Sequence, residues 1–274
     1  MPLEFVSSGQ DDGLGFREST LILPAVSVGN AGQLAVDLVI CALSMRHVGN
    51  LRARCFAPVV GSQPHVEPGT QPGTRSSGHL CLSTEVYACR DKHLVVLQIR
   101  SPILKGQRRQ TCRDLLAWVK ETGFQQVVLL SSTQAQMRLD QELSGPQERH
   151  LISEALLKKV GSWPKTAGCL AFQERPAYAG LEDGGQICLR IPGGGITRTL
   201  YQHLCAAGLP LLVLLTFCSD GDNIPDALRL ASHLALWLPP LGHQDTKLPE
   251  SKEQWKIPSS WKLLYGSGIP DSLF

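Results

Sequence analysis

The sequence lacks the short motifs that mark the commonest enzyme classes. It has no G-x-S-x-G turn for a serine nucleophile, no G-x-x-x-x-G-K-[ST] phosphate loop and no G-x-G-x-x-G dinucleotide turn. Its eight histidines are scattered, and none has the H-x-x-x-H spacing of a helical zinc site. We therefore identify no catalytic set and no metal site, and we expect no cofactor.

Charge and long apolar runs are also scarce. Charged residues make up 18% of the chain, the formal net charge is +2, and no stripe of clustered Lys and Arg is present. Because phosphate neutralisation needs clustered cations, nucleic acid is disfavoured as a partner. The longest apolar run, Leu209–Cys218, contains Pro210 and is too short to span a bilayer. We therefore expect no membrane partner.

Cysteine is present, but its pattern does not indicate disulfides. The nine cysteines include no C-x-x-C pair, and several lie within apolar stretches, where a free cysteine behaves as a small hydrophobic residue. The odd count and the lack of a signal sequence favour a reducing compartment. We expect a protein of the cytoplasm and the nucleus.

Continuous apolar runs alternate with amphipathic stretches along the chain. Thr20–Val26, Val127–Ser132 and Leu211–Phe217 are nearly continuous apolar runs, which is typical of strands buried on both faces. Gln33–Met45 and Arg108–Thr122 carry apolar residues at helical spacing. This order predicts an α/β fold, a three-layer sandwich with a mixed, mostly parallel sheet.

Composition divides the chain into three parts. Residues 1–18 are predicted to be a flexible N-terminal arm, and residues 19–240 the α/β domain. Within that domain, residues 61–79 are rich in Pro, Gly and Ser and predict a mobile loop. Residues 241–274 are predicted to be a linker followed by an aromatic tail.

Glycine-rich turns between strands and helices allow two interpretations. Glycines before a helix let the backbone approach an anion, so a phosphate or nucleoside ligand of a phosphorylase-type enzyme is one hypothesis. The alternative is a set of structural turns that need positive φ or a helix cap. The residues that we assign to structural turns are Gly29, Gly193, Gly194, Gly195, Asp222 and Asn223.

The tail from Trp255 to Phe274 is unusually aromatic for a chain terminus, where most domains are polar and poorly ordered. Such a segment must bury its surface on its own domain or on a partner, and both alternatives stay open for its two Trp residues. Its tip offers apolar side chains beside a negative charge. The predicted partner-binding residues are Trp261, Tyr265, Ile269, Leu273 and Phe274.

Several motifs in this order resemble the proteasome assembly chaperone family. They are LPAVSVGN at 23–30, RIPGGGIT at 190–197, GDNIPDAL at 221–228 and WKIPSSW at 255–261. The resemblance runs from about residue 20 to Phe274. Related chaperones dock C-terminal tails that carry Tyr next to last, where this chain has Leu273.

The resemblance implies a non-enzymatic function and particular partners. It implies a heterodimer with proteasome assembly chaperone 1 that binds α-type subunits of the 20S proteasome. Such a pair promotes α-ring formation and prevents off-pathway association of the subunits. The family fold is similar to that of purine nucleoside phosphorylases, which would account for glycine turns of ligand-binding appearance.

Overall fold

The computed structural model describes residues 3–9, 15–65, 80–176, 187–244 and 254–258, together with Leu248 and Trp261. The strands are β1 (Glu4–Ser7), β2 (Thr20–Pro24), β3 (Arg46–Arg52), β4 (Val60–Ser62), β5 (Leu80–Leu82), β6 (Thr84–Cys89), β7 (Leu94–Ile99), β8 (Gln126–Gln134), β9 (Glu148–Ile152), β10 (Arg175–Pro176), β11 (Ile187–Cys188) and β12 (Leu211–Cys218). The α-helices are α1 (Ala31–Ala42), α2 (Arg108–Thr122), α3 (Glu154–Val160), α4 (Trp163–Thr166), α5 (Thr197–Ala206) and α6 (Ile224–Trp237).

Eight strands form one mixed sheet in the order β1-β3-β6-β7-β2-β8-β12-β9. The central strands β7, β2, β8 and β12 are parallel to one another, whereas the pairs at both flanks are antiparallel. Strands β2, β7 and β12 are buried along their whole length, and β8 is buried except at its last residue, as expected for parallel strands that are covered on both faces. The predicted mixed sheet is confirmed, but it is not mostly parallel: three pairs at its centre are parallel and four pairs at its flanks are antiparallel.

Helices cover both faces of this sheet. Helices α1 and α6 pack over one apolar cluster, and α2 and α5 pack over the other. Helix α2 has the predicted bounds and ends at Gly123, whose φ of 77° is the left-handed conformation of a helix stop. The predicted three-layer α/β sandwich is therefore confirmed.

Parts of the predicted arm and linker belong to the domain. Within residues 1–18, strand β1 pairs with β3, and the buried Phe16 ring stacks on Phe124 at a centroid distance of 6.0 Å. Beyond residue 240, Leu241 and Leu248 are buried. These residues are sheet and core, not a loose arm or linker. Most of the predicted mobile loop, residues 66–79, lies outside the described residues.

Candidate functional site

The carboxyl ends of the central parallel strands bring three predicted turns together. The turn after β2 contains Gly29, the turn before α5 contains Gly193–Gly195, and the turn after β12 contains Asn223. The Val28 amide donates to the Gly193 carbonyl at 2.8 Å, which joins the first two turns. Open α/β folds usually bind ligands at this edge of the sheet. The edge is therefore the first candidate site.

Protein atoms fill the space beside the turn glycines. Gly195 has a φ of 59°, and a Cβ atom on it would lie 2.3 Å from the Val26 carbonyl oxygen. Gly29 has a φ of 68°, and its Cβ would lie 2.7 Å from the Asn223 side chain. Both glycines allow the turns to pack on each other and on the end of β2. The atoms that lie close to these two glycines belong to the protein's own turns.

Buried hydroxyl groups tie the Gly194 turn to strand β8. The Thr197 hydroxyl donates to the Gly194 carbonyl at 2.6 Å and lies 2.5 Å from the Ser131 hydroxyl. The Ser27 and Ser132 hydroxyls are 2.7 Å apart at the same edge. A phosphate at the N-terminus of α5 would need donors of this kind. The fold uses these hydroxyls within its own turns.

Asp222 and Asn223 form the turn that begins α6. The Asp222 carboxylate accepts a hydrogen bond from the Ile224 amide at 2.9 Å, which satisfies one of the unpaired donors at the helix N-terminus. The buried Asn223 side chain donates to the Gly221 carbonyl at 2.8 Å. Both side chains hold the turn that packs against Gly29.

A buried ionic cluster beneath α1 is the polar feature that the sequence interpretation missed. Arg100 donates to both Asp37 carboxylate oxygens at 3.0 and 3.1 Å and to the Glu85 carboxylate at 3.0 Å. Burial alone would raise the pKa of Asp37, but Arg100 and His65 outweigh it and hold that pKa below its ordinary value. The only sign of this cluster in the sequence is Asp37, an acidic residue inside an otherwise apolar helical stretch.

The cluster continues into a cysteine–histidine contact that resembles part of a catalytic triad. Cys41 Sγ lies 3.1 Å from His65 Nδ1, and His65 Nε2 lies 3.4 Å from Asp37 Oδ1. Burial, with a further contribution from Asp37, raises the pKa of the Cys41 thiol to about 11. The thiol is therefore protonated at neutral pH, and protonated cysteine is a poor nucleophile. The contact fixes His65 against α1.

The described residues were also compared with the patterns of metal sites and membrane-spanning helices. In the described parts of the chain, no three His, Cys, Asp or Glu side chains are grouped so that they could hold a metal ion. Among the described helices, none combines the length and apolarity that crossing a membrane requires.

Comparison with known proteins decides the family. The sequence profile of the PAC2 family matches residues 21–255. The chain belongs to the PAC2 family. It is 43% identical to the Proteasome assembly chaperone 2 of Danio rerio, over 98% of this chain and 100% of that protein. It is 41% identical to the Proteasome assembly chaperone 2 of Homo sapiens, again over 98% of this chain and 100% of the relative.

Solved structures show this PAC2-family fold at low sequence identity. Pyrococcus furiosus PbaA, described as an archaeal homolog of proteasome-assembly chaperone, matches with a TM-score of 0.61 at 14% identity, over 92% of this chain and 85% of PbaA. Pyrococcus furiosus PbaB, described as an archaeal proteasome activator, gives 0.57 at 16% identity, over 91% of each chain. At such identities the likeness establishes the fold alone. The similarity to purine nucleoside phosphorylases stays a prediction.

The described part of the aromatic tail packs on the PAC2-family domain itself. Trp255 and Trp261 are each 5% exposed and belong to the apolar cluster on the α1–α6 face. The Trp255 indole nitrogen donates to the Ser232 hydroxyl at 3.0 Å. Of the two alternatives for these rings, packing on the chain's own domain is the one observed, and it leaves little of Trp261 for a partner. The other predicted partner-binding residues lie outside the described residues: Tyr265, Ile269, Leu273 and Phe274.

One exposed apolar surface extends across two neighbouring strands. Strands β4 and β5 pair antiparallel, with Val60 opposite Leu82. Val60, Leu80 and Leu82 are 61%, 66% and 40% exposed, whereas Cys81 is buried. Because side chains alternate along a strand and directly opposed residues share a face, the three exposed side chains lie on one face. We call the face formed by Val60, Leu80 and Leu82 the apolar ribbon.

Proposed function

We propose that this PAC2-family chain is a proteasome assembly chaperone that acts by binding other proteins and not by catalysis. The similarity over the full length of relatives named Proteasome assembly chaperone 2 carries the proposal. The geometry of the carboxyl edge supports it, because the glycine turns and their hydroxyl groups bind one another. Binding surfaces are then the expected means of action.

The proposed partners are proteasome assembly chaperone 1 and α-type subunits of the 20S proteasome. The heterodimer of the two chaperones binds α-type subunits, promotes α-ring formation and prevents off-pathway association. This activity belongs to the cytoplasm and the nucleus, as predicted from the sequence. We assign the apolar ribbon to the partner chaperone, because surfaces that stay paired are more apolar than those of transient encounters.

Charge placed on the apolar ribbon tests this assignment. We expect Val60→Lys combined with Leu80→Lys to reduce pairing with proteasome assembly chaperone 1 by about tenfold or more, since lysine ammonium groups resist desolvation in an apolar interface. The stability of the isolated chain should change little, because both positions are exposed. The measurement is the dissociation constant of the purified pair.

Leu143→Lys provides the matched control, because Leu143 is 63% exposed and lies outside the apolar ribbon. Pairing that is unchanged in the ribbon variant, or equally weakened in the control, would contradict the assignment.

The alternative from the sequence, a phosphate- or nucleoside-binding enzyme of phosphorylase type, requires an open cradle at the glycine turns. The observed contacts at Gly29 and Gly195 do not favour such a cradle. Binding to the native state must raise the unfolding temperature, so thermal unfolding with phosphate or nucleosides tests it. We expect no shift at millimolar ligand.

A further inference from the structure

A groove opens beside strand β9, between that strand and helices α3 and α4. Its volume is about 600 Å³. Ile152, Leu157, Pro164 and Cys169 contribute apolar surface to its walls, and Leu157 is an exposed large apolar side chain. Exposed apolar concavities of this kind mark sites that bind apolar groups.

His150 borders the groove with a polar atom that has no partner. The residue is 5% exposed, and no group within the described residues forms a hydrogen bond with its Nδ1 atom. Burial lowers the pKa of His150 to about 4, so the ring is neutral at physiological pH. A buried nitrogen without a partner costs free energy. The ring therefore contributes a neutral surface where it borders the groove.

Charged side chains at the groove favour an acidic occupant. Lys158 and Lys165 line it, and both side chains are exposed. Glu154 lines it as well, which leaves one excess positive charge among these three residues. The groove therefore combines apolar walls, a buried imidazole and a positive rim, a set that fits a peptide with apolar side chains and a carboxylate.

We propose that the groove binds this chain's own segment Ile269–Phe274, with the sequence IPDSLF. Ile269, Leu273 and Phe274 supply apolar side chains for the walls, and Asp271 supplies the carboxylate for the lysine rim. After Lys262 the chain contains no further Lys or Arg that would repel the rim.

The anchoring of the tail brings this segment within reach of the groove. Trp261 belongs to the apolar cluster against which Ile152, Trp163 and Cys169 also pack, and Ile152 and Cys169 line the groove. Thirteen residues follow Trp261 in the sequence. In extended form they span up to about 43 Å.

This docking has a consequence for partner binding. A tip held in the groove is shielded from other proteins, so any partner of the tip must first compete with the groove. The inference concerns the chain alone and does not rest on the proposed proteasome function.

Hydrogen–deuterium exchange of the full chain, with no other protein present, tests the docking. We expect amides in the 269–274 segment to be protected in the unmodified chain. Lys158→Glu combined with Lys165→Glu should reduce that protection by about tenfold, because two side chains that attract the Asp271 carboxylate are replaced by two that repel it. Adding Asp271→Lys to this double variant should restore protection by exchanging the charges.

Lys159→Glu is the matched control, because Lys159 is adjacent in α3 but lines a different cavity. It should leave the exchange of the segment unchanged. An unprotected segment in the unmodified chain would overturn the inference and leave the groove to a partner protein or to water. Protection that survives the double reversal would also overturn it, since the segment would then lie elsewhere.

Discussion

At the scale of single residues, the turns at the carboxyl edge pack against one another because glycine has no Cβ atom. Gly195 and Gly29 allow the turns after β2, before α5 and after β12 to touch. The sequence interpretation identified these glycines as turn residues from their place between strands and helices. It could not establish what they touch, because the Gly195–Val26 and Gly29–Asn223 contacts join segments about 170 and 190 residues apart along the chain.

Gly195→Ala should destabilise the protein by about 3 kcal/mol or more. Alanine at a φ of 59° is strained by about 1–2 kcal/mol, and its Cβ would also lie 2.3 Å from the Val26 carbonyl oxygen. The matched control is Gly208→Ala, at a φ of 70° with no heavy atom within 4 Å of the new Cβ. Denaturant unfolding should show the control loss to be about 1–2 kcal/mol. Equal losses would contradict the packed turn.

Arg100→Met should destabilise the protein by about 3–5 kcal/mol at neutral pH, because it leaves the Asp37 and Glu85 carboxylates buried without their cation. Asp37 has a depressed pKa in the folded protein, so its pairing with Arg100 stabilises the fold fully above the ordinary Asp pKa. That stabilisation is lost as the pH falls from the ordinary value through the depressed one. The difference in the free energy of unfolding between Arg100→Met and the unmodified protein should therefore be smaller at acidic pH than at neutral pH.

The exposed Arg52–Glu4 pair supplies a control for Arg100→Met. Its side chains are 65% and 50% exposed, so Arg52→Met should cost about 0–1 kcal/mol. Unfolding measured from neutral to acidic pH distinguishes the two variants, and a similar small loss for Arg100→Met would refute the buried cluster.

At the scale of elements, the strongest sequence patterns gave the most accurate predictions. The buried strands at 127–132 and 211–217 and helix α2 were predicted because their apolar patterns are long and unambiguous. Strands β1 and β9 were not, because Glu4–Ser7 and Glu148–Ile152 are short, polar edge strands whose pairing depends on distant partners.

The tail behaves as an element of the core as far as the structure describes it. Trp255→Ala should lower the free energy of unfolding by about 3–5 kcal/mol, because it removes a buried indole and its hydrogen bond to Ser232. Ile257→Ala, in the same segment at 49% exposure, should change it by less than about 0.5 kcal/mol. A minor effect of Trp255→Ala in thermal unfolding would show that the segment is peripheral.

At the scale of the whole molecule, motif order predicted the family better than any local chemistry did. The glycine turns alone allowed either a ligand cradle or a structural turn, and the surrounding fold was needed to choose between them. The buried Arg100 cluster, the apolar ribbon and the groove beside β9 were not predicted. The cluster joins Asp37 to Glu85 and Arg100, which lie far from it along the chain. The ribbon and the groove lie within residues 60–82 and 150–171, and they depend on which of those side chains the folded backbone leaves exposed.

We propose that this PAC2-family chain functions through its surfaces as one half of a chaperone pair. Co-expression with proteasome assembly chaperone 1, followed by native mass measurement and capture of α-type proteasome subunits, tests it most directly. We predict a 1:1 complex that captures those subunits. A stable monomer with affinity for neither the partner chaperone nor the α subunits would contradict the account.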